Sequence, residues 1–205
     1  MIPACLTVLA KAPVAGLAKT RLMPALGAEG AARLAERLLA HTMAQAAAAG
    51  FVRLRLLGVP DCRHPALARH AGVAELGVQC EGDLGARMHR ALHEGLGLQP
   101  AALIIGTDAP ALDAARLRAA ALALQDHDAV LIPALDGGYA LIGLSARVGE
   151  VPASLFADMV WSTATVMAQT RERLRALGLH WAELEPVADI DEPADLARLP
   201  AGWLA

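Results

Sequence analysis

The loop at residues 11–21 holds the side chains of this chain that are best suited to bind phosphate. It contains the only two lysines of the sequence, although the chain has 18 lysine and arginine residues in total. Ammonium and guanidinium groups donate to phosphate oxygens, and small residues between them let a ligand approach the backbone. The spacing is not that of a Walker loop. The predicted nucleotide contacts are Lys11, Ala12, Pro13, Gly16, Lys19 and Arg21.

The charges of this loop are expected to pair with a ligand and not with the protein core. The alternative interpretation is a polar loop whose charges are solvated. Its position directly after the first predicted strand favours the functional interpretation, because parallel sheets bind ligands beyond the carboxyl ends of their strands.

A carboxylate follows the most hydrophobic run of the chain. Residues 101–106 read AALIIG, and Asp108 comes just after them, where the ligand crevice of a parallel sheet lies. A Mg²⁺ or Mn²⁺ ion that bridges phosphates needs one or two such carboxylates. Asp108 is therefore predicted to bind the metal and to be catalytic. The alternative is that it only opens a turn before Pro110, and Asp113 is predicted to be a plain helix cap.

Residues 79–88 connect a predicted strand to a predicted helix and read QCEGDLGARM. Glycine at position 82 permits a tight turn, and the aspartate that follows is placed to cap the helix. A contact with the base or ribose of a nucleotide is compatible with that cap. The predicted nucleotide contacts in this loop are Gln79, Gly82, Asp83 and Arg87.

The segment at residues 136–144 reads DGGYALIGL and includes the only tyrosine of the chain. An Asp-Gly pair between strands is typical of a hairpin turn, and a pair of glycines also lets an acceptor substrate approach the backbone. Further on, the run Trp161-Ser162-Thr163 is interpreted either as a hydrophobic staple and N-cap or as part of the acceptor site. The predicted acceptor contacts are Asp136, Gly137, Gly138, Tyr139 and Trp161.

The elements that must position these loops alternate between strand and helix. Apolar runs and alternating patterns predict strands at residues 4–10, 51–58, 73–79, 102–106, 128–133, 139–144 and 180–186. Helical patterns fall at residues 29–49, 65–71, 84–96, 112–125, 163–177 and 193–199. Strands separated by helices favour a mostly parallel sheet in a three-layer α/β/α sandwich, here a single domain over residues 1–205.

Composition restricts the class of partner. The formal net charge is -3 with no basic block, which excludes nucleic acid and anionic membrane as main partners. No uncharged apolar stretch approaches the length of a membrane span. The three cysteines are scattered, as expected for reduced thiols in a cytoplasmic protein. The expected partner is a nucleotide or nucleotide sugar, and the oligomeric state is left open, a homodimer included.

The loops together resemble the bacterial DUF2064 family of nucleotide-diphospho-sugar transferase-like proteins, similar to selenodomain-associated transferase 1. The segments that carry the resemblance are AKAPVAGLAKTRL (10–22), EGDLGARM (81–88), GTDAPALD (106–113), DGGYALIGL (136–144), WSTATV (161–166) and DIDEPADL (189–196). The resemblance implies a Rossmann-like glycosyltransferase A type fold. It also implies a second metal ligand before the last helix, which maps onto Asp189, with Asp191 as a nearby alternate. Glu192 and Ala194 depart from the related Thr-Pro-Glu-Asp-Leu pattern and predict a weaker cap there.

The resulting hypothesis is a transferase that uses Mg²⁺ or Mn²⁺. The leading reaction is glycosyl transfer from a nucleoside-diphosphate sugar, with Lys19, Arg21 and Asp108 as catalytic residues that offset charge on the leaving diphosphate. The first alternative is a nucleotidyltransferase that joins a nucleoside triphosphate to a phosphorylated acceptor and releases pyrophosphate. The second is a nucleotide-binding module without catalytic activity.

Overall fold

Seven strands of the chain form one sheet in the computed structural model, which describes residues 1–204. The strands are β1 (Ile2–Lys11), β2 (Phe51–Val59), β3 (Glu75–Val78), β4 (Ala101–Ile105), β5 (Ala129–Pro133), β6 (Tyr139–Ser145) and β7 (Trp181–Glu183). Their order in the sheet is β3-β2-β1-β4-β6-β5-β7. Strand β6 runs antiparallel to its neighbours β4 and β5, and the other neighbouring pairs are parallel. The predicted mostly parallel sheet is confirmed.

Helices cover both faces of this sheet. They are α1 (Met23–Ala49), α2 (Pro65–Ala68), α3 (Leu84–Leu96), α4 (Ala114–Ala123) and α5 (Val166–Ala176), together with short 3-10 helices that include Thr20–Leu22 and Pro193–Arg198. Helix α1 is kinked at Gly27, where the backbone leaves helical geometry. None of the helices within residues 1–204 has the length and apolar character needed to cross a bilayer.

Two hydrophobic clusters lie between the sheet and the helices, one on each face of the sheet. In β4, Leu103 and Ile105 belong to the cluster that includes side chains of α1 and α4. The alternate residues Ala102 and Ile104 belong to the cluster that includes side chains of α3 and α5. Because successive side chains of a strand point to opposite faces, β4 is buried on both sides, as its unbroken apolar run predicts. The structure therefore has the expected three α/β/α layers.

The start of α5 differs from the prediction. The helix begins at Val166 and not at residue 163, and Ser162 lies in the left-handed region with a φ of 62°. The Thr163 hydroxyl donates to the carbonyl of Val160, so it caps no helix. The interpretation of Trp161, Ser162 and Thr163 as a staple and N-cap is therefore wrong, because the segment turns before the helix starts.

The caps at Asp83 and Asp113 are confirmed. Each carboxylate accepts a hydrogen bond from the backbone N–H three residues later, at the start of α3 and α4 respectively. At the last 3-10 helix, Asp195 accepts from the backbone N–H groups of Asp191 and Glu192. Glu192 and Asp195 form a capping box at this helix, so the predicted weaker cap is not found.

A third hydrophobic cluster attaches the C-terminal segment to the start of α1. Leu22, Leu34 and Leu38 are buried together with Ile190, and Trp203 packs against the same cluster. The backbone N–H of Ile190 also donates to the carbonyl of Asp108, just past β4. These contacts bring the acidic residues beside Ile190 to the end of the central strand.

The close packing of α3 on the sheet gives a stability prediction. A Cβ on Gly95 would lie 2.8 Å from the Cβ of Ala102 in β4, where neither atom can rotate away. We expect Gly95→Ala to lower the free energy of unfolding by about 1–3 kcal/mol despite the better helix propensity of alanine. Urea denaturation measures this change.

Gly72→Ala is the matched control, because a Cβ at Gly72 meets nothing within 4 Å. Its free energy of unfolding should equal that of the parent or exceed it by up to about 1 kcal/mol. Equal stabilities for Gly95→Ala and the parent would show that α3 does not depend on this close approach.

Candidate functional site

A cleft of about 570 Å³ opens at the edge of the sheet where β1, β4 and β5 end. Because β6 is antiparallel, its first residue, Tyr139, lies at the same edge. The loops after β1 and β4 and the C-terminal segment form the polar part of the cleft. Parallel sheets place ligands at this edge, so the cleft is the candidate functional site.

The Lys19 ammonium is the centre of the polar part. Its Nζ lies 2.5 Å from Asp108 Oδ1 and 2.7 Å from Asp191 Oδ1, and it donates to the carbonyl oxygen of Ile190 at 2.5 Å. Burial lowers the pKa of Lys19, but the two carboxylates outweigh this effect and raise it above its ordinary value. The expectation that this charge pairs with a ligand and not with the protein does not hold for Lys19, because its ammonium is already paired within the chain.

The backbone at Lys19 is itself unusual. Its φ of 48° and ψ of 46° lie in the left-handed region, which a residue with a Cβ adopts only at a cost in free energy. The side chain is nevertheless only 8% exposed. The surrounding contacts therefore hold a strained backbone conformation that aims the ammonium at the two carboxylates.

Two aspartates of the C-terminal segment take different positions in the cleft. Asp191 contacts Lys19 and so lies close to Asp108. Asp189 also lines the cleft, but it lies beside Asp136. Burial first, and then the negative charges of Asp136, Asp191 and Asp195, raise the pKa of Asp189 to about 6. The structure thus brings Asp191 to Asp108 through one ammonium and leaves Asp189 in a second acidic group.

Most of the predicted site residues meet in this one cleft. Those that line it are Lys11, Lys19, Arg21, Gln79, Arg87, Asp108, Asp136, Gly138, Tyr139, Trp161 and Asp189. Those that lie outside its lining are Ala12, Pro13, Gly16, Gly82, Asp83 and Gly137. Each of the four predicted loops thus contributes residues to the lining of the cleft, while six of the predicted contacts lie outside that lining.

Three of these residues have clear structural roles. The side-chain amide of Gln79 donates to the carbonyls of Ala10 and Leu57, which ties the end of β1 to β2. The Asp136 carboxylate accepts from the backbone N–H of Gly138 in the hairpin turn between β5 and β6. A Cβ on Gly137 would overlap the backbone of Ala164, so glycine is needed there for close packing.

The other end of the cleft is largely apolar. Tyr139 is half-buried. Burial of its hydroxyl raises the pKa of that group, and its hydrogen-bond partner is the sulfur of Met88 at 3.7 Å. Trp161 packs so closely on α3 that a Cβ on Gly85 would lie 2.8 Å from its Cζ2. Within residues 1–204, Arg87 Nε and Trp161 Nε1 are buried without a hydrogen-bond partner.

Sequence reasoning missed two apolar residues of this end of the cleft, Leu84 and Met88, which line it one helical turn apart on α3. Ser162 and Thr163, which the sequence offered as part of the acceptor site, line the cleft from the strained turn before α5. The i, i+4 spacing of Leu84 and Met88 could have indicated the face of α3 that points into the cleft. No sequence signal marked the turn at Ser162, because serine rarely adopts its left-handed conformation.

The family comparison agrees with this geometry. The family model described as an uncharacterized protein conserved in bacteria (DUF2064) matches residues 42–163, more than half of the chain. The chain belongs to this family. The matched range includes Asp108, the hairpin turn and Trp161, whereas Lys19 and Asp191 lie outside it. No curated protein matches the chain.

Solved structures share the fold over nearly the whole chain. A protein from Desulfovibrio desulfuricans, provisionally assigned as a nucleotide-diphospho-sugar transferase, is 27% identical with a TM-score of 0.83, covering 94% of this chain and 84% of its own. The 2-C-methyl-D-erythritol 4-phosphate cytidylyltransferase of Thermus thermophilus is 15% identical with a TM-score of 0.58 and coverages of 95% and 96%. Rv0371c of Mycobacterium tuberculosis, in complex with manganese, is 18% identical with a TM-score of 0.54. The match covers 96% of this chain and 97% of Rv0371c.

The paired ammonium gives a prediction that separates Lys19 from its neighbour Arg21. Lys19→Ala removes the cation between two carboxylates, and we expect it to lower the free energy of unfolding by about 1–3 kcal/mol. The lower end of that range applies, because Asp108 and Asp191 are 46% and 40% exposed and water screens their charges. Thermal or urea denaturation at neutral pH measures the change.

Arg21→Ala is the internal comparison, since Arg21 is exposed at the same cleft. Its free energy of unfolding should stay within about 0.5 kcal/mol of the parent value. If both variants are as stable as the parent, the ion pairs of Lys19 contribute nothing to the fold.

Proposed function

We propose that the protein is a transferase that uses a nucleotide substrate and moves a glycosyl group from a nucleoside-diphosphate sugar to an acceptor. The observation that carries this proposal is the meeting of a cationic loop and two carboxylates in one cleft at the carboxyl ends of β1 and β4. That combination suits a diphosphate together with a divalent cation. The similarity to a provisionally assigned nucleotide-diphospho-sugar transferase at 27% identity supports it.

The acidic residues at the end of β4 fit a Mg²⁺ or Mn²⁺ ion. Oxygen atoms of Asp108, Asp191 and Ile190 converge on the Lys19 ammonium, so this position already suits a cation with oxygen ligands. Within residues 1–204 no group of three His, Cys, Asp or Glu side chains forms a metal site. Mg²⁺ needs only one or two carboxylates, because substrate phosphates and water complete its coordination.

Asp108 is the first ligand in this proposal and Asp191 the second, with Asp189 as the alternative second ligand beside Asp136. Bound at this position, the ion would neutralise negative charge on the phosphates of the nucleotide. The relative from Mycobacterium tuberculosis whose structure is a complex with manganese supports this choice of ion.

The basic residues of the loop hold the phosphates. Lys11 and Arg21 are exposed at the cleft and present their charges to it. Both donate to phosphate oxygens, and Arg21 can do so with two parallel hydrogen bonds. Positive charge held at the leaving diphosphate stabilises the transition state more than the ground state, since negative charge increases there as the bond breaks.

The apolar end of the cleft holds the acceptor. Trp161 and Tyr139 provide flat walls, and Met88 and Leu84 line the side contributed by α3. Apolar walls exclude water, and this protects a donor sugar from hydrolysis. The buried N–H groups of Arg87 and Trp161 need hydrogen-bond acceptors, which a polar group of the acceptor substrate would supply.

Nucleotidyl transfer is the second candidate. The structural match with the Thermus thermophilus cytidylyltransferase covers 95% of this chain and 96% of that enzyme, so the two chains share the fold over nearly their whole lengths. In this reaction an acceptor phosphate attacks the α-phosphorus of a nucleoside triphosphate, and pyrophosphate leaves. In glycosyl transfer the acceptor takes the sugar, and the nucleoside diphosphate leaves.

The released product distinguishes the two reactions. Nucleoside triphosphates and nucleotide sugars are first screened for ligands that raise the melting temperature with Mg²⁺ or Mn²⁺, because a ligand of the native state stabilises it. The stabilising nucleotides are then incubated with sugar, sugar-phosphate and alcohol acceptors. We expect release of nucleoside diphosphate. Pyrophosphate release would replace our proposal with nucleotidyl transfer, and stabilisation without turnover would favour a module that only binds nucleotide.

Substitutions of four aspartates test the metal ligands. We expect Asp108→Asn to lower metal-dependent nucleotide affinity by about a hundredfold or more, since a neutral amide replaces the charged ligand that a hard cation requires. Asp191→Asn should lower it by about tenfold. Calorimetric titration of Mn²⁺ with the nucleotide into each variant measures the affinities.

Asp113→Asn is the control, because asparagine caps a helix as well as aspartate does and Asp113 caps α4. It should bind as the parent does. If Asp189→Asn lowers the metal-dependent nucleotide affinity more than Asp191→Asn does, the second metal ligand is Asp189. If Asp108→Asn keeps the metal-dependent nucleotide affinity of the parent, Asp108 is not a metal ligand and the proposed metal site is wrong.

A further inference from the structure

The Lys19 ammonium donates two hydrogen bonds within the chain and forms a salt bridge with a further carboxylate. An ammonium group has three donors, and three oxygen atoms surround this one: Asp108 Oδ1, Asp191 Oδ1 and the carbonyl of Ile190. The side chain is 8% exposed, so its charge is largely removed from water. Lys19 in this position is a counterion for the carboxylates, and its ammonium is held by oxygen atoms of the chain and not by a phosphate.

The same carboxylate oxygens are those that the proposed function assigns to a divalent cation. Asp108 and Asp191 are 46% and 40% exposed, so an ion can reach them from the cleft. A divalent ion bound there would lie within a few ångströms of the ammonium. Two cations at that separation repel each other strongly in a partly buried site.

We propose that Lys19 is an internal competitor of the divalent cation. This inference rests on the proposed function, which places the ion at Asp108 and Asp191. The Lys19 ammonium must leave these oxygens before they can hold the ion, and the phosphates of a bound nucleotide are the acceptors to which it moves. The ion and the nucleotide then bind cooperatively, because each favours the same position of Lys19.

The backbone at Lys19 is suited to this exchange. Its left-handed conformation costs free energy and is held in place by the contacts of the ammonium, so release of the ammonium also releases strain. The loop from Gly16 to Lys19 contains a second residue with positive φ, Gly16 at 79°, where a Cβ would meet nothing within 4 Å. Residues 14–17 are exposed, so the part of the loop that precedes Ala18 has open space in which the backbone can move.

The test measures Mn²⁺ affinity without nucleotide, by electron paramagnetic resonance of free Mn²⁺. Lys19→Met keeps the apolar stem and removes the charge. We expect it to bind Mn²⁺ about tenfold tighter than the parent, because the competing cation is gone. Lys19→Gln, which keeps a donor for the same oxygens, is the second variant should Lys19→Met fold poorly, and it should also bind tighter.

Lys11→Met is the matched control, because it removes the other lysine of the same loop, which is exposed at the cleft. Its Mn²⁺ affinity should stay within about twofold of the parent value, since an exposed charge is screened by water and salt. The double variant that combines Lys19→Met with Asp108→Asn should not show the tighter Mn²⁺ binding of Lys19→Met. These two results assign the effect to the ammonium and the carboxylate that contact each other.

Mn²⁺ binding to Lys19→Met and Lys19→Gln that is no tighter than to the parent would overturn the inference. If the parent still binds Mn²⁺ together with a nucleotide, the proposed function survives that result. The opposite result is also informative. Tighter Mn²⁺ binding by Lys19→Met and Lys19→Gln, with no metal-dependent nucleotide binding by the parent, would support the competition and contradict the proposed function.

Discussion

One buried ammonium joins the three parts of the chain that form the polar side of the cleft. Lys19 comes from the loop after β1, Asp108 follows β4, and Asp191 belongs to the C-terminal segment. A buried charge is costly unless it is paired, so the ammonium favours the arrangement in which these three segments lie together. The backbone of Lys19 keeps its left-handed conformation in spite of the cost in free energy, because the surrounding contacts stabilise it.

Apolar packing determines where these charges meet. Ile190 is buried in the cluster at the start of α1, and its backbone N–H donates to Asp108. The aspartates on either side of Ile190 therefore line the cleft, one at Lys19 and the other beside Asp136. The hydrophobic core thus fixes the position of the acidic residues, and the electrostatic contacts follow from it.

Much of the fold could be predicted because its signals are local. The apolar run of β4 and the alternation of strands and helices indicate a sheet buried on both faces, and the caps at Asp83 and Asp113 follow from short spacings. The pairing of Lys19 with Asp191 could not be predicted, because it depends on how the C-terminal segment packs on α1. The start of α5 was misplaced for a related reason, since its turn at Ser162 is imposed by surrounding structure and not by residue preference.

The contacts of Lys19 also determine when the cleft can form during synthesis. Lys19 and Asp191 are 172 residues apart in the chain. At the ribosome, β1 and its loop emerge first, but the ammonium meets its last acceptors only after Asp191 has left the exit tunnel. Contacts so distant in sequence close a long loop and form slowly. A nascent chain that stops short of Asp191 therefore has the loop of the cleft without its opposite wall.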